Sequence, residues 1–252
     1  SELPQLNFRK KALSLPETEI FIMKQKTIRA ALDFSWNEAS LALADEQNNV
    51  LFTEKIMLNG HDASALPERL ELAAKQAGTP LAGITEWSVG TGPGGFTGLR
   101  VAAALVSGLT YGHPELKIRG VPSAAGLIRT AFAGNFPEKA VAVFDGRRSE
   151  LLVYGMVLKD GSYQPDGFTA VLQKPEELAG LLAGRSAAAL EKDRTAIAKF
   201  TPELVDGIRF TPSINAEELI FNDPQNFSAS PTDLIYLRAA VFVEARIPRK
   251  IC

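Results

Sequence analysis

Two carboxylates and one glycine-rich loop are the parts of this sequence best placed to do chemistry. Asp33 closes the apolar run TIRAALD, and Asp145 closes KAVAVFD. A carboxylate at the end of each of two buried strands can hold magnesium and orient an attacking water. The same residue can equally cap a turn by accepting backbone N–H groups. Phosphate chemistry also needs glycine-rich loops directly behind both strands. Phe34-Ser35-Trp36-Asn37 after Asp33 is bulky and has no glycine, and Asp145 is followed by Gly146 alone. An intact nucleotide site is therefore not expected, and Asp33 and Asp145 stand as weak cofactor candidates.

The loop is GTGPGGFTGLRVAAALVSGLTYG, residues 90–112. It reads as a strand, a loop and a helix, a junction whose exposed N–H groups could receive an anion. A phosphate loop of the Walker type needs Lys and then Ser or Thr after its last glycine, whereas Gly98 is followed by Leu99 and Arg100. Gly90, Gly92 and Gly95 match a dinucleotide fingerprint in form. Pro93 removes a donor, however, and the next strand, KIRGV, ends without an acidic residue for a ribose. The third reading is structural: Gly92-Pro93-Gly94-Gly95 makes a tight turn and Thr97 caps the helix. Ala102, Ala103, Ala104, Ser107 and Gly108 then let another helix approach. A helix that is apolar most of the way round must be covered on most sides, by its own core or by a partner.

Other chemistries find little support. The two histidines, His61 and His113, lie far apart in sequence, so no helical metal-binding pair can form. Ser35, Thr97 and Ser149 have no histidine that the sequence can place beside them, and no G-x-S-x-G elbow occurs. The single cysteine, Cys252, excludes an internal disulfide and a multi-cysteine zinc site within one chain.

The elements that would position these residues repeat. From Thr27 the chain reads as three strands, with an Asn48-Asn49 turn between the second and third, and then a helix that Asp62 or Ser64 caps and Gly78 stops. KAVAVFDGRRSELLVYGMVLKDGSY repeats three strands with an aspartate closing the first, which makes Asp145 the counterpart of Asp33. The next helix begins equally far behind each aspartate, at Asp62 and at Lys174. Between the copies lie a strand (ITEWSVG), the glycine loop and helix, the strand KIRGV and a short helix from Pro122. A duplicated βββαβα pair is the pattern of the α/β actin-like, Hsp70-like (ribonuclease H-like) fold with two lobes. The expected division is an N-terminal extension of unassigned role (1–24), a first lobe (25–134) joined by a C-terminal helix (230–252), and a second lobe (135–229).

Composition is ordinary for a folded protein of 252 residues, with 46% hydrophobic and 22% charged residues. With 27 Lys plus Arg against 29 Asp plus Glu, the formal charge of -2 draws in no polyanion, so tight RNA binding by this chain alone is not expected. The basic clusters Arg9-Lys10-Lys11 and Arg147-Arg148 read as solvated surface. No apolar run reaches the ~20 residues of a membrane helix, and a cytoplasmic location is the expectation.

The glycine segment resembles the GxGPGSFTGLRIG…A.GL motif of the bacterial TsaB (YeaZ) family. ALDFSWNEASLAL is similar to that family's first hairpin, FDGRRSELLVYGM to its DARRGEVY segment, and PTDLIYLR to its P.YLR element. Gly95 stands where the family usually has Ser, and Phe34 where it has Thr. The resemblance implies a non-catalytic scaffold that holds a TsaD-like catalytic subunit. In a larger assembly with a TsaE-like ATPase, it would serve threonylcarbamoylation of adenosine 37 in tRNA. It further implies no cofactor in this chain, ATP and a metal on the partner, tRNA contact only through the complex, and a homodimer when alone. The interface it implies comprises the loop and helix residues Gly92, Pro93, Gly94, Gly95, Phe96, Thr97, Gly98, Arg100, Ala103 and Ser107. The alternative is a nucleotide-binding enzyme of the same fold, an ATPase or a metal-dependent hydrolase.

Overall fold

The computed structural model describes residues 27–57, 62–147, 149–222 and 230–237. The N-terminal extension, His61, Arg148, Cys252 and the chain beyond 237 lie outside the described residues. In the first half, β1 (Ile28–Asp33), β2 (Glu38–Asp45) and β3 (Val50–Met57) precede α1 (Leu66–Gln76), β4 (Glu86–Gly90), α2 (Phe96–Thr110), β5 (Lys117–Val121) and α3 (Ser123–Phe132). The second half repeats this order with β6 (Lys139–Arg147), β7 (Glu150–Lys159), β8 (Ser162–Leu172), α4 (Pro175–Leu182), β9 (Ser186–Leu190), α5 (Arg194–Phe200), β10 (Ile208–Thr211) and α6 (Glu217–Phe221).

Each half folds its strands into one sheet, ordered β3-β2-β1-β4-β5 and β8-β7-β6-β9-β10. In both, the first three strands run antiparallel and the last two add in parallel. Identical strand order and direction in two sheets establishes the duplication and the actin-like, two-lobed fold. The central strands are apolar on both faces, as strands covered on both sides must be.

What covers those faces is exchanged between the halves. Helices α1 and α2 pack on the outer face of the first sheet, and α4 and α5 on that of the second. Between the sheets, α3 lies on β6, β9 and β10 of the second lobe, while α6 lies on β1, β2 and β4 of the first. The inner core joins Ala31, Ala42, Leu127, Ile128, Phe144 and Leu219 into one cluster spanning both lobes. Arg119 on β5 fastens the exchange: its buried guanidinium donates to the carbonyls of Leu219, Ile220 and Asn222 at the end of α6, at 2.7, 3.0 and 2.6 Å. Those carbonyls have no partner within the helix, so the arginine supplies the cap they lack.

Several local expectations are corrected. A 3-10 turn, Asp62–Ala65, precedes α1, whose start has no side-chain cap. Gly78 does end that helix, with φ 74° and its N–H on the Lys75 carbonyl. The helix expected from 230 does not begin there: residues 230–237 are turn, bend and irregular chain. They return to the first lobe, where the Ile235 N–H donates to the Thr91 carbonyl at 2.8 Å.

Candidate functional site

The glycine loop and the β1–β2 turn are built against each other. Gly95 N–H donates to the Ser35 carbonyl at 2.6 Å. At Gly94 a methyl group would overlap that same carbonyl, and at Gly90 it would overlap the Asp33 carboxylate. Glycine is required here by close approach, not by an anion. Thr97 is not the cap that its position predicts, because α2 starts one residue earlier, at Phe96, and Gly95 occupies the capping position with no side-chain bond.

Asp33 is sealed inside this contact, 2% exposed. Its Oδ1 accepts the Ser35 N–H at 3.0 Å and the Ser35 hydroxyl, and its Oδ2 accepts the hydroxyl of Ser123 at the start of α3. Ser123 Oγ in turn accepts the Gly92 N–H at 3.0 Å. The carboxylate thus ties strand, loop and exchanged helix together. Burial pushes its pKa above the usual carboxylate range, against the lowering effect of the hydroxyl and backbone bonds.

Asp145 is placed differently, and this corrects the pairing of the two aspartates. Along β1, Asp33 alternates in phase with Ala31, which belongs to the inner core. Along β6, Asp145 is in phase with Val141 and Val143 of the outer core, opposite Leu151 of that same core. Phe144 takes the inner-face place at the end of its strand. The two carboxylates therefore do not face each other across the lobes. Asp145 Oδ1 accepts the Arg147 N–H at 2.7 Å, closing the same two-residue turn that Asp33 closes with Ser35.

The space between the two turns holds an aromatic plug. Trp36 from the first lobe stacks on Phe144 of the second at 5.2 Å between centroids, and Lys192 lays its ammonium 3.8 Å above the indole. Beside it, Pro93, Gly94, Gly95, Phe96 and Tyr236, with Asp145 and Arg147 of the second lobe, line a cavity of about 320 Å³, so Asp145 at the strand end borders this space as well as the outer side. Tyr236 stacks on Phe96 at 4.4 Å and receives the Arg100 Nε–H at 3.2 Å.

Helix α2 turns one face outward. Thr97, Arg100, Ala104, Gly108 and Tyr111 are exposed and Ser107 is half-buried, a set that falls on one side at helical spacing. Ala103, expected on that face, is corrected to core: it is 4% exposed, beside Leu99, Ala102 and Val106. Gly92, Pro93 and Gly98 are likewise buried, so of the expected surface only Gly94, Gly95, Phe96, Thr97, Arg100 and Ser107 reach solvent. His113 pairs with Glu115 in an exposed turn at 3.0 Å.

Among the described residues no group of three His, Cys, Asp or Glu side chains could hold a metal ion. No described helix is long and apolar enough to cross a membrane. Sequence reasoning marked the bulk behind Asp33 but not its stacking partner Phe144. Nor did it mark Ser123 or Lys192, or the stacking of Tyr236 on Phe96, because these contacts are distant in sequence.

Residues 58–252 match the family described as TsaD, tRNA N6-adenosine threonylcarbamoyltransferase. A stretch of 121 residues, 48% of this chain, is 31% identical to the tRNA threonylcarbamoyladenosine biosynthesis protein TsaB of Haemophilus influenzae, of which it covers 50%. The chain thus spans about half the length of that curated relative. Among solved structures, one of an uncharacterized protein with similarity to peptidase YEAZ from Pseudomonas aeruginosa superposes with TM-score 0.69 at 24% identity, over 84% of this chain and all of that one. YeaZ from Pseudomonas aeruginosa gives 0.61 at 24%, over 77% and 89% of the two chains.

Proposed function

This chain belongs to the family of tRNA N6-adenosine threonylcarbamoyltransferases (TsaD) as a TsaB/YeaZ-like member, and from that premise we propose that it is an accessory scaffold of tRNA threonylcarbamoyladenosine formation. It supports a TsaD-like catalytic subunit, in an assembly with a TsaE-like ATPase, and leaves ATP and metal to its partners. The observation that carries this reading is the stack of Trp36 on Phe144 between the two lobe turns, which sets bulky rings where a nucleotide-binding chain of this fold would need open, glycine-rich loops. The sealed Asp33 agrees with it, because a carboxylate already accepting two hydroxyls and an N–H has little left for a cation.

The outward face of α2 is the surface offered to the partner, small at Ala104, Ser107 and Gly108 and carrying Tyr111, 87% exposed. Mixing the chain with the TsaD-like subunit of its own source and reading elution volume should give a mixed dimer, and the chain alone a homodimer through the same face. Ala104→Arg and Ser107→Arg should each weaken association at least about tenfold, as a charge forced into a packed interface does, with an unchanged circular dichroism spectrum. Ala103→Arg should unfold the chain instead. Saturable ATP–magnesium binding with turnover by the isolated chain would establish the alternative, a nucleotide-dependent enzyme.

A further inference from the structure

Three cations gather beside the β6–β7 turn of the second lobe. Arg147 from the β6–β7 turn, Lys192 from the turn after β9 and Lys199 from α5 line a cavity of about 530 Å³ together with Ser149 and Thr195. Among the described residues, no carboxylate stands within ion-pair distance of any of the three. Two carboxylates share the wall: Asp145, which accepts the Arg147 N–H, and Glu150, which accepts the side-chain amide of Gln173 at 3.2 Å. Lys192 is held in place by the Trp36 ring beneath it. Burial lowers its pKa, with a smaller push from the Arg147 charge, against the raising effect of the Asp193, Glu38 and Asp145 carboxylates.

Arg147, Lys192 and Lys199 outnumber the two carboxylates on the same wall, Asp145 and Glu150; the excess positive charge favours an anion, and the hydroxyls of Ser149 and Thr195 extend the donor set beyond what a single carboxylate needs. Among the described residues Phe200 is the only ring on the wall, so the cavity offers a base little to stack on. A phosphate, with its charge and several acceptor oxygens, fits this donor set. We propose that the cavity formed by Arg147, Lys192 and Lys199 is a phosphate-binding site. Resting on the reading of the chain as a tRNA-modification subunit, its occupant is a backbone phosphodiester of the RNA. The formal charge of -2 on the whole chain makes the contact local and weak, so it adds to an RNA grip made chiefly by partners.

The test uses the full chain and two probes. Fluorescence anisotropy with a tRNA transcript at low salt should show weak, salt-dependent binding. Lys199→Gln should lower the slope of log K against log salt by about 0.9, and the double variant Arg147→Gln with Lys199→Gln by about twice that. Lys159→Gln, exposed at the far end of β7, should leave it unchanged. Calorimetry with inorganic pyrophosphate is the second arm. Saturable binding that the double variant loses, with RNA binding untouched, retains the phosphate site and assigns it to a small phosphate. If neither probe separates the double variant from the wild type while its circular dichroism spectrum is unchanged, the proposal is overturned. Elution with the TsaD-like subunit is an independent readout, so loss of association there would sink the scaffold reading and leave the phosphate result standing.

Discussion

The β1–β2 and β6–β7 turns share one hydrogen bond and differ in where their aspartates lie. Both begin with an aspartate that accepts the N–H two residues on. In the first lobe that aspartate faces the layer between the sheets, where it becomes a sealed junction between loop and helix. In the second lobe it faces outward, half-buried, on the wall of a cationic cavity. The cause is the pleat: shifting an aspartate by one position along a strand sends it to the opposite face. One shared turn therefore serves as an internal fastening in one copy and as open surface in the other.

The largest effect that would sharpen this contrast is on stability. Asp33→Ala leaves the Ser35 N–H and two hydroxyls without their acceptor and should cost about 3 kcal/mol, whereas Asp145→Ala, on a half-exposed group, should cost less than about 1 kcal/mol. Urea unfolding midpoints measure both, and equal losses would break the comparison. Next comes the plug that separates the two turns. Trp36→Ala removes the stack on Phe144 and should cost about 2 kcal/mol. ATP should still fail to bind, because Asp33 stays committed to its hydroxyls; binding by this variant would mean that the indole alone excluded nucleotide.

The smallest expected effect is on pH dependence. Burial raises the pKa of Asp33 in the folded chain, so the folded state keeps that proton at a pH where the unfolded chain has lost it. The resulting stabilisation is present below the ordinary carboxylate range and fades as pH rises through the raised folded value. Asp33→Asn should flatten that part of the stability profile. In the second lobe the buried carboxylate is Asp193, also raised chiefly by burial, and Asp193→Asn should remove a separate part of the slope. Thermal melts across pH 4–8 check both, and an unchanged profile in Asp33→Asn would mean that Asp33 titrates as an exposed group does.

Much of the fold could be read along the chain. The order of strands and helices, the repeat, the loop-to-helix junction at 90–112 and the poverty of the nucleotide loops are all written in local residue types. Gly90 and Gly94 read as fingerprint and turn glycines, and only the structure shows that the close approach of Asp33 and Ser35 requires them. Ala103 and Ser107 could not be told apart, because α2 carries small and apolar residues nearly all round and no polar stripe marks its outer face.

By itself, then, the sequence determined the class of fold, its duplication and the absence of the usual phosphate loops, since each depends on periodicity and on which residue follows which. The tertiary structure alone decided which lobe each of α3 and α6 covers, which way Asp33 and Asp145 point, and that Arg147, Lys192 and Lys199 share one cavity. Strands buried on both faces, such as IRAALD and KAVAVFD, show no alternation from which a direction could be read. Side chains separated by fifty residues of chain meet only when packing brings their elements together.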